Sequence, residues 1–136
     1  MDTRGNTGID QILKEAEMIW PQVDLGLNVR DERETVRSSA VSSCTGEFAN
    51  DYADACECFY LFRIIHRMSE KDPAFAALTG DYFFSRFSHA LIPVDSVPLI
   101  ERFSDYLKAD AKQSEKAFDL TEYLAFIRHT AKEIAL

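Results

Sequence analysis

Signals for β-structure are missing from this chain. No Asn-Gly pair joins two alternating runs, so nothing reads as a strand ladder. Only 5 glycines and 4 prolines interrupt the 136 residues, and no internal repeat, low-complexity tract or linker divides them. A single domain fits this length, and a domain of this size buries roughly two-thirds of its unfolded surface. No run approaches the roughly 18 apolar residues of a membrane helix. The stretch from Met1 to Asp10 is polar and lacks an apolar signal core. The expectation is a protein that stays in the cytoplasm without a membrane span.

Basic charge is also scarce. Lys and Arg number 15 against 23 Asp and Glu, for a formal net charge of −8. The cations are scattered, so no nucleic-acid footprint exists, and an acidic surface disfavours anionic membranes. The three cysteines, Cys44, Cys56 and Cys58, are odd in number, and two of them are too close for a zinc knuckle. They read as reduced core thiols.

What the chain does have is apolar residues, 46% of the total, recurring at helical spacing. A first helix is expected over about 8–20, with the stripe Ile9, Ile12, Leu13, Ala16, Ile19, Trp20 and a stop at Pro21. A second runs over about 31–44, and Gly46 breaks the run. A third, over about 48–69, is apolar nearly all round in its second half and must be covered on several sides. Asp72-Pro73 starts a fourth that runs to about Leu91, with aromatics around most of its circumference. A fifth, over about 96–116, carries the stripe Val97, Ile100, Phe103, Leu107, Ala111. Asp119 and Glu122 form a capping box for a sixth. The fold class is therefore all-α, one helical bundle of about six helices spanning residues 1–136. The third and fourth helices carry more aromatic surface than a thin surrounding layer covers. They are either central helices or an interface shaped like a core cut in half.

At Ile64-Ile65-His66, followed by Leu78-Thr79-Gly80-Asp81-Tyr82-Phe83-Phe84, the chain resembles the trans-polyprenyl diphosphate synthases. In that family a long helix ends in Leu-Ile-His and runs into an aspartate-rich motif. A later helix carries Ala-Gly-Asp-Tyr-Leu-Leu. The resemblance covers mainly residues 50–116 and implies a truncated isoprenoid-synthase-like bundle. The connection between the two motifs is shorter than in the catalytic enzymes, as in the small subunits of the hexaprenyl and heptaprenyl type.

The aspartate-rich motif belongs directly after His66, where this chain has Arg67-Met68-Ser69-Glu70-Lys71. The family's chemistry needs several carboxylates on one helix face to hold magnesium against the allylic diphosphate. Arg67, Met68 and Lys71 cannot hold it, and no Asp-Asp pair occurs anywhere else in the chain. No catalytic and no metal-ligating residue is expected, and no activity is expected of the chain alone. The resemblance implies a non-catalytic subunit of a heteromeric long-chain synthase, serving a quinone side chain. Its larger catalytic partner would bring the Mg2+ and the prenyl diphosphate substrate. The small subunit would complete the dimer and help set product length. The candidate interface and chain-length residues are Phe59, Phe62, Gly80, Phe83, Phe84 and Phe87. Packed core is the competing reading for each aromatic. Gly80 costs about 1 kcal/mol in a helix relative to Ala, which a close helix approach would explain.

Other constellations are weaker. His66 and Glu70 form an i, i+4 pair, but two ligands are not a metal site. Asp51 and Asp54 read as dipole-favourable acids near a helix start. Ser38, Ser39, Ser42 and Ser43 lack a nucleophile elbow, and no glycine-rich phosphate loop is present. The alternative function is a free-standing helical module that homodimerises through the third and fourth helices.

Overall fold

A computed structural model of the chain describes residues 30–66, 73–111 and 118–136. It is all-helical there: α1 (Arg30–Ser42), α2 (Ala49–His66), α3 (Pro73–Ala90), α4 (Val97–Ala111) and α5 (Leu120–Ile134). These match the second to sixth expected helices. The expected first helix lies outside the described residues, as do Arg67, Met68, Glu70 and Lys71. No described helix is long and apolar enough to cross a membrane.

Local chemistry explains the boundaries. Asp119 sits in extended backbone, and its side chain accepts a hydrogen bond from the Glu122 amide, closing the first turn of α5 as a cap does. At the other end Ala135 turns left-handed, and its N–H reaches the Ala131 and Lys132 carbonyls. Ser96 caps α4 by accepting from Leu99 N at 3.2 Å. Pro73 occupies the first position of α3, where its missing N–H costs no helical bond.

The α2 helix is the axis of the bundle. From Tyr52 to Leu61, all but the half-buried Asp54 are buried, so this helix is covered on several sides. α1 and α3 pack along it. A reciprocal pair of buried phenols ties it to α5. Tyr52 donates to the Ile127 carbonyl at 2.7 Å, and Tyr123 donates to the Cys56 carbonyl at 2.6 Å. Burial pushes both phenols far above the ordinary tyrosine range, so they remain donors. All three cysteines are free thiols; burial raises Cys44 and Cys56, and takes Cys58 to about 12. They are inert core groups, as expected.

One expected stripe holds only in part: Phe103 is buried and Leu107 packs half-buried against the core, but Val97 and Ile100 do not face inward. The buried side of α4 is Leu99 and Phe103 with half-buried Tyr106, at spacings of four and three. Val97 and Ile100, expected to face inward, are 65% and 50% exposed. The rings decide the rotation: Phe103 lies 5.1 Å from Phe59, 5.0 Å from Phe87 and 5.1 Å from Phe126. Orienting α4 so that Phe103 meets all three turns Val97 and Ile100 outward.

Two glycines give opposite predictions. A methyl at Gly80 would meet Phe62 Cδ1 at 3.7 Å, an ordinary contact, and the backbone φ is not positive. Among the described residues no close approach requires this glycine, so Gly80→Ala should stabilise the protein by about 0.5–1 kcal/mol. Gly46 differs. Thr45 N and Gly46 N donate to Leu136 O at 3.0 and 2.8 Å, pinning the end of α5 to the α1–α2 connection. A methyl there would press on that same oxygen at 3.1 Å. Gly46→Ala should cost about 1 kcal/mol. Urea denaturation of the two variants checks both signs.

Candidate functional site

Phe83, Phe84 and Phe87 lie close on one helix, yet a turn of about 100° per residue sends them to different environments. Phe83 and Phe87, four apart, point inward and are 0% and 4% exposed. Phe84 comes out at the seam and is 39% exposed. Its ring stacks obliquely on Phe62 at 5.2 Å and on Phe87 at 5.7 Å. Phe59 lies beneath them, fully buried, with its ring 6.0 Å from Phe62 and 5.3 Å from Phe87. The six expected residues thus fall in one neighbourhood but in two roles. Phe59, Gly80, Phe83 and Phe87 pack this chain's own core. Phe84 reaches the surface, and Phe62 is half-buried beside it.

Between α3 and α4 lies an apolar cleft of about 110 Å³. Phe59, Phe87, Leu91 and Phe103 form its floor, Leu107 one wall, and Phe84 and Ile100 its mouth, with Ser88 and Ser104 at the edge. Among the described residues no charged side chain lines it. Next to it, Ile92 and Val97 flank the α3–α4 turn and are 66% and 65% exposed. Ile92, Val97 and Ile100 were not among the expected interface residues. The signal was present in Leu91-Ile92-Pro93-Val94-Asp95-Ser96-Val97-Pro98-Leu99-Ile100, an apolar run broken by two prolines where a polar turn is usual.

On the opposite side of α2 is a charge cluster that sequence reading missed. Glu57 is 2% exposed, and its two carboxylate oxygens face different arginines of α1. Arg33 Nη2 stands 3.4 Å from one; Arg37 Nη1 donates to the other at 3.1 Å and to Asp54 Oδ1 at 2.7 Å. Tyr60 donates to Glu32 at 2.5 Å beside them. Asp54 is therefore a cross-helix partner of Arg37 and not only an acid near a helix start. Burial raises the Glu57 carboxyl, against the pull of Arg33 and Arg37. Burial also opposes the Arg37 charge, but its bonds to Asp54 and Glu57 outweigh that and raise it. Both values rise, but for different reasons: desolvation prevails at Glu57, whose side chain is 2% exposed, and the bonds to carboxylates prevail at Arg37, whose side chain is 24% exposed. The cluster joins Arg33 and Arg37 of α1 to Asp54 and Glu57 of α2 and reads as the clamp between the two helices.

Among the described residues no group of three or more His, Cys, Asp or Glu side chains could hold a metal ion. The stretches that carry the resemblance, Ile64–His66 and Gly80–Phe84, lie on α2 and α3, two helices that pack together. Comparison with known proteins gives no match to a family model, to a curated protein or to a solved structure.

Proposed function

We propose that this chain is a non-catalytic subunit that docks a larger catalytic chain through the exposed apolar face of α3 and α4. The observation that carries the docking reading is the grouping of Phe84, Ile92, Val97 and Ile100 on two successive helices and the turn between them. Single exposed apolar residues are ordinary, whereas grouped ones mark interaction surfaces. The finer reading, a subunit of a heteromeric long-chain trans-polyprenyl diphosphate synthase, is supported by Ile64–His66 and Gly80–Phe84 on adjoining helices. It is supported also by Arg67 and Lys71 standing where the family keeps magnesium-holding acids. Mg2+ and the prenyl diphosphate would be held by the partner.

The test is turnover of isopentenyl diphosphate. The chain alone should give none, and a full-length synthase with both aspartate-rich motifs should gain activity or a defined product length when it is added. Phe84→Ala should lengthen the product, because Phe84 is the aromatic at the surface. Phe87 is a poorer probe, since it is buried and its loss would disturb the core. A mixture that stays inert counts against the proposal. A stable homodimer indifferent to any synthase would identify the free-standing module instead.

A further inference from the structure

We infer that the α3–α4 cleft binds a small neutral hydrocarbon group in the isolated chain. The inference goes beyond the docking reading and does not rest on it, because the cleft is built from one chain. Its floor is three phenylalanine rings, Phe59, Phe87 and Phe103, with centroids 5.0–5.3 Å apart. These rings are held by the core and do not depend on an occupant for their position. The volume, about 110 Å³, fits a group of five or six carbon atoms. An apolar cavity of about 150 Å³ with comparable walls stays dry and takes up benzene.

The chemistry of the lining selects the ligand. Among the described residues no cation lines the cleft to recognise a phosphate or carboxylate head group. Ser88 spends its hydroxyl proton on the Phe84 carbonyl at 3.2 Å. Recognition then comes from shape and apolar contact, with a polar end of the ligand left in water beyond Phe84 and Ile100, which are 39% and 50% exposed. Such a group is the terminus of a hydrocarbon chain, whether branched or straight.

The experiment titrates the purified chain with benzene, with a ten-carbon branched prenyl alcohol (geraniol) and with straight-chain 1-decanol, following amide NMR shifts. Saturable shifts centred on Ser88, Ser104 and Leu107 are expected. Preference for geraniol would assign a branched chain, and preference for decanol a straight one. Ser104→Phe, at an exposed position on the cleft edge, should fill the space and weaken binding about tenfold or more with an unchanged circular dichroism spectrum. Ile100→Phe is a second filling variant. Absence of saturable shifts with all three probes overturns the inference, as does binding that both filling variants leave intact. No synthase is present in this assay, so its outcome is separate from that of the docking proposal.

Discussion

Replacing Phe59 by alanine is expected to remove about 3–5 kcal/mol of stability. Phe59 is 1% exposed. Its ring meets those of Phe62, Phe87, Phe103, Tyr106 and Tyr123, so side chains of α2, α3, α4 and α5 converge on it. Removing it leaves a void bounded by rigid rings, which cannot collapse as flexible aliphatic chains do. A domain of this size has about 5–15 kcal/mol in total, so the variant should melt far below the parent. Thermal and urea unfolding read this directly. Phe84→Ala is the control: its ring is partly in water, and its loss should cost about 1 kcal/mol. Equal losses for the two would contradict the separation of core from surface.

Glu57→Ala is the second large effect, with an expected loss of about 3–5 kcal/mol at neutral pH. The carboxylate is buried between Arg33 and Arg37, and the Arg33 side chain is itself only 9% exposed. Deleting the acid removes the carboxylate that faces both guanidinium groups, the costly way to break a buried pair. Glu57→Gln keeps the shape and a hydrogen-bond acceptor, so it should cost less. The pair also sets a pH dependence. The folded carboxyl is raised above its ordinary value of 4.5, so the folded chain holds a proton that the unfolded chain has released. This contribution is fully present below the unfolded value and is lost as pH rises through the folded one. Stability of the parent should therefore fall with pH across the window that opens at about 4.5, and Glu57→Gln should lack that component. Urea titrations of both proteins at a series of pH values check the sign.

Much of the fold was legible because its signals are local. Pro73, Ser96, Asp119 with Glu122, and Gly46 mark helix ends by short-range chemistry that needs no knowledge of neighbours. The nearly all-round apolar second half of α2 showed that it must be covered on several sides, but not whether by this chain or by a second one. The rotation of α4 was not legible. Leu99, Ile100 and Phe103 support two overlapping stripes, and only the position of Phe59, more than 40 residues earlier in the chain, decides between them. The charge cluster was hidden in the same way. Arg33 and Arg37 are four apart, and Asp54 and Glu57 three apart, so each pair alone looks like a solvated helix face. Their complementarity appears only when α1 lies on α2. The candidate site was half legible. Aromatic spacing included Phe84, which lies on the proposed face, but four of the six residues serve the core. The exposed face draws instead on Ile92, Val97 and Ile100, which a stripe count assigns to a loop or to the interior.

The surface variant Ile100→Asp tests the central claim most directly. Ile100 is half exposed, so an aspartate there should leave the fold intact while placing a charge in the middle of the proposed face. Sedimentation of the parent chain with a full-length polyprenyl synthase should show a defined complex, and the aspartate variant should sediment as separate components with its melting temperature retained. A parent chain that forms no complex, or a variant that binds as the parent does, would contradict the account.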